Sequence, residues 1–141
     1  MLASVANFVR SLFSSGTGAE LPEVPHVKSL STLESLDSCL SESVTRPVFI
    51  FKHSTACPIS AEAYRHVAAY AEQANATSPE VYLVKVIEER PVSNQIADQL
   101  GLQHKSPQLI LVKERKVLWS TSHYGVHADA IRDAVSIHAR G

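Results

Sequence analysis

The run Val48-Phe49-Ile50-Phe51 constrains the fold more than any other segment. Four consecutive apolar residues, two β-branched and two aromatic, give a strand no polar face, so such a strand must be covered on both sides. Pro47 precedes it, and a polar turn from Lys52 to Ala56 follows. Val81 to Ile87 reads as a second strand. Gln108 to Val112 and Val117 to Thr121 read as a hairpin around Glu114-Arg115-Lys116. Helical stripes separate these runs. Ser31-Thr32 with Glu34 opens a helix on Leu33, Leu36 and Leu40 that ends near Ser43. Cys57-Pro58 starts another, through Ile59, Ala63, Val67, Tyr70 and Ala71 to about Ala74. Proline suits that first turn, where its missing N–H costs nothing. Ser93 is expected to cap a third helix through Ile96 and Leu100, with Gly101 as its stop. A last helix, from about Val126 to Ala139, is expected to bury Ala130, Ile131, Ala134, Val135 and His138 or its neighbours.

The element order is therefore α-β-α-β-α-β-β-α. A right-handed βαβ unit followed by a hairpin and a closing helix is similar to the thioredoxin-like arrangement. The expected fold is α/β, a central mixed four-stranded sheet flanked by helices, over residues 27–141. Residues 1–26 differ in texture. Leu2, Val5, Val9, Leu12 and Phe13 recur at helical spacing, followed by Ser14-Ser15-Gly16-Thr17-Gly18 and then Pro22 and Pro25. This N-terminal extension reads as a short amphipathic helix plus a flexible linker, docked on a membrane or partner or packed loosely on its own domain. Ser4, Asn7 and Arg10 interrupt the apolar run a secretory signal needs, and the segment is too short to span a bilayer. With one Arg and no Lys it gains little from an anionic membrane, so membrane binding is disfavoured.

Composition narrows the function. The 141 residues, 45% apolar, suffice for one core, and 13 Lys and Arg against 14 Asp and Glu argue against a nucleic-acid-binding field. Two cysteines do not make a disulfide-rich scaffold. The seven His lack the paired spacing of a zinc site, and no metal is expected.

The chemistry concentrates at Cys57. A cysteine that opens a helix directly after a buried strand faces unpaired backbone N–H groups and the positive end of the helix dipole, both of which favour the reactive thiolate. Lys52 and His53 are expected to add positive charge nearby. The competing reading is an inert structural cysteine. Ser60 stands where a Cys-x-x-Cys dithiol has its second sulfur, so Cys57 can attack a disulfide but cannot release itself internally; a second thiol must clear the mixed disulfide. Pro107, in Lys105-Ser106-Pro107-Gln108, precedes the third strand. A cis Ser106–Pro107 bond would leave the Ser106 backbone free to pair with the cysteinyl part of a thiol substrate; a trans proline at a loop end is the alternative. Cys39, mid-helix beside Leu36 and Leu40, reads as a partly buried bystander.

Phe51-Lys52-His53-Ser54-Thr55 followed by Cys57-Pro58-Ile59-Ser60 resembles the monothiol bacilliredoxins, the YtxJ-like, bacillithiol-system proteins of the thioredoxin-like superfamily. The resemblance runs from about Val27 to the last helix and includes Ser106-Pro107-Gln108 and Ser122-His123-Tyr124, where the family tends to carry Ser-His-Trp. It implies a cytoplasmic oxidoreductase that removes bacillithiol from S-bacillithiolated client proteins. Cys57 would be the attacking thiolate and Pro107 the cis-proline of the binding cleft. His53, Ser54, Thr55, Pro58, Ser60, Ser106, His123 and Tyr124 would support or bind substrate. No bound cofactor is implied; bacillithiol is the thiol co-substrate, and a disulfide reductase is a candidate partner. Ala56 departs from the Thr or Arg associated with that position, and Tyr124 replaces Trp. His123 and Tyr124 precede the last helix, whose free N–H groups could hold the malate carboxylate of bacillithiol; a solvated loop is the alternative.

Two other functions compete. An iron–sulfur carrier of this fold would hold a cluster between two subunits, but such carriers have Gly-Phe after the cysteine where this chain has Pro58-Ile59. A thiol peroxidase would use Ser54, three residues before Cys57, but the proline expected four residues further back is Ile50.

Overall fold

The structure, a computed structural model, describes residues 24–139, and the apolar run at 48–51 lies at its centre. The elements are β1 (Val27–Ser29), α1 (Leu33–Thr45), β2 (Val48–His53), α2 (Pro58–Gln73), β3 (Glu80–Lys85), α3 (Arg90–Leu100), β4 (Gln108–Lys113), β5 (Lys116–Ser122) and α4 (Ala128–His138), with a 3-10 turn at His123–Gly125. They form one sheet in the order β1-β3-β2-β4-β5. β2 runs parallel to β3 from Val48↔Glu80 to His53↔Lys85, and antiparallel to β4 from Val48↔Val112 to Lys52↔Gln108.

Strand alternation splits the core into two layers. Phe49 and Phe51 join Leu109 and Leu111 beneath α2 and α4, against Ala63, Val67, Ile131 and Ala134. Val48 and Ile50 join Ile110 and Val112 beneath α1 and α3, against Leu36, Leu40, Val92 and Ile96. Each fully buried aliphatic or Phe side chain contributes about 1.5–3 kcal/mol, so both helical layers are required to hold β2.

The sheet has five strands rather than the four expected. β1 pairs in parallel with β3, Val27↔Val81 to Ser29↔Leu83, at the sheet edge. Three partly exposed residues give no apolar run. The strand is held by backbone bonds, Val81 N–H to the His26 carbonyl at 2.9 Å and Leu30 N–H to the Leu83 carbonyl at 2.8 Å. Val24 is buried in the layer under α2 and α4. The extension expected at 1–26 otherwise falls on residues 1–23, outside the described residues.

Element ends also differ. α1 starts with Thr32 Oγ1 accepting from Ser35 N–H at 3.0 Å and runs on to Thr45; Leu33 lies outside its buried stripe. α2 buries Ser60, Tyr64 and Ala68 beside Ala63, Val67 and Ala71, leaving Ile59 and Tyr70 half-buried. β3 ends at Lys85, so Ile87 falls in the following turn. α3 starts at Arg90 with Pro91 in its first turn, which places the expected cap Ser93 inside the helix and buried. Gly101 does end it, in the left-handed conformation at φ 60°. α4 starts at Ala128 and fully buries only Ile131 and Ala134; Val126 is buried ahead of it. Among the described residues no helix is long and apolar enough to cross a membrane.

Candidate active site

β2 brings the chain to the site and α2 carries it away. Cys57 is the extended N-cap residue of α2, with Pro58 next in the helix. Its N–H donates to the Ser54 carbonyl at 3.3 Å, closing the turn, and its carbonyl accepts from Ala61 N–H at 3.0 Å, starting the helix. The side chain is partly exposed and makes no capping hydrogen bond. The sulfur is therefore uncommitted at a helix start, where unpaired N–H groups and the dipole favour an anion.

Ser60, three residues on, is fully buried. Its Oγ accepts from Ser54 N–H at 2.9 Å and lies 2.8 Å from His53 Nδ1. Where a dithiol would hold its second sulfur, a hydroxyl ties the end of β2 to the first turn of α2. His53 is buried, stacked on Phe51 at 5.6 Å and against Tyr64 at 5.2 Å. Burial pushes its imidazole down to about 4, so the ring is neutral at neutral pH. Lys52 turns to the other face of the sheet, fully buried, with Nζ 3.0 Å from His104 Nδ1; burial lowers its amine to about 8. These findings correct the expectation that Lys52 and His53 place positive charge beside Cys57. Alternation sends the two side chains to opposite layers, and burial discharges the imidazole.

The Ser106–Pro107 bond is cis. Pro107 is buried, and its carbonyl accepts from His123 N–H at 2.9 Å. His123 is exposed, at φ 55°, with Nδ1 3.1 Å from Ser122 Oγ; Tyr124 is 77% exposed. Their 3-10 turn packs against α2. Residues 53–60, 106–108 and 122–124 thus gather at one end of the sheet, where β2 and β5 end and β4 begins. Within this geometry residues 28–131 match the family described as monothiol bacilliredoxin BrxC, a match that takes in all three segments.

The chain belongs to the monothiol bacilliredoxin BrxC family. It is accordingly a thiol–disulfide oxidoreductase with a thioredoxin fold. Among solved structures it is similar to an oxidoreductase described as having a thioredoxin fold, at 27% identity and a TM-score of 0.69, over 77% of this chain and 92% of that one. A thioredoxin from Fasciola hepatica, 16% identical with a TM-score of 0.63, aligns over 79% of this chain and 98% of its own. A thioredoxin variant from Halobacterium salinarum NRC-1, also 16% identical with a TM-score of 0.65, aligns over 84% and 96%. The last two likenesses concern the fold alone.

Other parts of this candidate site were not evident from the sequence. Thr55 Oγ1 donates to Glu88 Oε2 at 3.0 Å, and Val86 N–H donates to the His53 carbonyl at 2.9 Å, so the turn after β3 borders the site. Nothing in the spacing of Glu88 marks it. At α4 the His127 ring accepts from Ala130 N–H at 3.3 Å and Asp129 occupies the first turn. That capping bond and carboxylate disfavour a ligand carboxylate at the helix start. Cys39 is fully rather than partly buried. Burial and the neighbouring Glu42 push its thiol up to about 12. It lies in the layer of α1 and α3, with the sheet between it and the helix that Cys57 opens. Among the described residues no group of three or more His, Cys, Asp or Glu is placed to hold a metal ion.

Proposed function

We propose that this protein removes bacillithiol from S-bacillithiolated client proteins through Cys57. The Cys57 thiolate attacks the bacillithiol sulfur of the client's mixed disulfide. A Cys57–bacillithiol S–S bond forms as the client S–S bond breaks, and the client sulfur leaves as a thiolate that takes a proton from water. The client cysteine is reduced and Cys57 oxidised. A second thiol, another bacillithiol or the dithiol of a disulfide reductase, then attacks the bacillithiol sulfur of the adduct. It ends as a disulfide and Cys57 returns to the thiolate.

The observation that carries this reading is Ser60. It is buried, occupied by Ser54 N–H and His53, and sits where internal resolution would need sulfur. His53, Ser54 and Thr55 shape the turn, Pro58 sets the helix start, and Ser106 and Pro107 line the cleft for the cysteinyl part of the thiol. The exposed His123 and Tyr124 meet the client. The domain that carries the activity is residues 27–141, and a reducing cytoplasm, where thiols persist, is the compartment such chemistry suits. A reductase partner accords with the fold: a thioredoxin of similar architecture is known in complex with ferredoxin: thioredoxin reductase.

The test is recovery of a client's free thiol. With no other thiol present, one equivalent of protein should release at most one equivalent of client, and added bacillithiol should make release catalytic. Release that stays stoichiometric with bacillithiol in excess, or equal release by Cys57→Ser, would refute the mechanism.

A further inference from the structure

Residues 101–107 join α3 to β4 and end on Ser106 and Pro107. Leu102 packs against the layer of α1 and α3, whereas Gln103, His104 and Lys105 are exposed, and Gln103 and Lys105 border a cavity of about 400 Å3. Two buried side chains hold this exposed stretch. Gln108 Nε2 donates to the Gln103 carbonyl at 3.1 Å, and Lys52 Nζ lies 3.0 Å from His104 Nδ1. An ammonium has no acceptor, so Nζ donates and the ring nitrogen accepts. Lys52 and Gln108 stand directly opposite each other on β2 and β4, so both side chains leave the sheet on the side of α1 and α3.

Neither residue is there for its own burial. Gln108 Oε1 has no partner while the amide N–H holds Gln103. Lys52 is fully buried, and among the described residues no carboxylate pairs with it. A buried cation without a counter-ion destabilises a fold, and a methionine would fill the same space without that penalty.

We propose that Lys52 is a positioning residue: its bond to His104 pins the segment ahead of Ser106 and Pro107 and so sets that wall of the cleft. The proposal rests on the reading that Ser106 and Pro107 line the cleft for the thiol exchanged at Cys57. Lys52 acts through the loop and touches neither the sulfur nor the substrate. Once the bond is lost, the wall stands in its binding position for a smaller fraction of the time. Apparent affinity falls by that fraction, while saturating substrate restores the competent state. The loss therefore belongs in KM and not in kcat.

The test uses the full chain, an S-bacillithiolated peptide and excess bacillithiol, and reads KM and kcat of peptide-thiol release. Lys52→Met and His104→Ala are each expected to raise KM roughly tenfold, the size of one hydrogen bond to a charged group, at unchanged kcat. The double variant should lose no more than either alone, because one bond is removed in all three. His104→Asn, whose amide oxygen can accept from Nζ, should restore the wild-type KM. Alkylation of Cys57 by iodoacetamide should proceed at the same rate throughout. His104 is exposed, so its variants stand even if Lys52→Met fails to fold. An unchanged KM in His104→Ala, or a KM in His104→Asn as high as in His104→Ala, would overturn the proposal. So would a parallel fall in kcat and alkylation rate, which would place the disturbance at Cys57. These results leave the exchange at Cys57 standing; wild type that releases no peptide thiol would overturn both.

Discussion

At Ser60 one hydroxyl holds two partners, Ser54 N–H and His53, in a position closed to solvent. Ser60→Ala removes the acceptor and leaves the Ser54 N–H unpaired beneath the turn that presents Cys57. The expected loss is about 1–3 kcal/mol, read as a lower denaturant midpoint at unchanged m; an unchanged midpoint would show that water replaces the hydroxyl. This part of the site was legible in the sequence because Cys57, Pro58 and Ser60 are local, their spacing fixed by one helical turn. The directions of Lys52 and His53 were not. They depend on which face of β2 each occupies and on what covers that face, and the covering residues come from Tyr64 and His104. The Thr55–Glu88 bond likewise joins residues 33 apart that no local pattern connects.

Among the elements, the β4–β5 hairpin shows local chemistry overruled by a distant contact. Its turn residues, Glu114 and Arg115, sit at φ 52° and 63°, where non-glycine residues cost roughly 1–2 kcal/mol each. Ser43 at the end of α1 offsets this, its carbonyl accepting from Glu114 N–H at 2.7 Å and its Oγ from Arg115 N–H at 3.0 Å. Replacing the pair, Glu114→Asn with Arg115→Gly, keeps both backbone bonds and supplies residues suited to a two-residue turn. Thermal melting should rise, by about 1 kcal/mol in stability; a fall would mean that the Arg115–Ser41 bond outweighs the strain. The hairpin itself was legible from its flanking apolar runs. β1 was not, since three edge residues bury too little to leave a pattern, and neither was the start of α3, where Pro91 was the signal and Ser93 the distraction.

Across the whole molecule, the two-layer architecture carries an electrostatic cost. Lys52 is enclosed in the layer of α1 and α3, and its amine is lowered from 10.5 to about 8. Between pH 8 and 10.5 the unfolded chain binds this proton more tightly than the folded one, so stability contributed by this group rises with pH across that window; below pH 8 the full cost of the buried charge is present. Lys52→Met should therefore stabilise the protein at pH 7, by on the order of 1–3 kcal/mol, with the advantage shrinking as pH climbs from 8 to 10.5. Denaturant titrations at several pH values test this. A methionine variant less stable at pH 7 would show that the bond to His104 exceeds the desolvation.

The proposed exchange at Cys57 depends on where the thiol adduct goes. Intact-mass measurement after mixing the protein with an S-bacillithiolated client, followed by peptide mapping, reads this directly. The predicted result is one bacillithiol on the peptide containing Cys57, none on that containing Cys39, and none in Cys57→Ser. An adduct that persists in Cys57→Ser, or that maps to Cys39, would contradict the account.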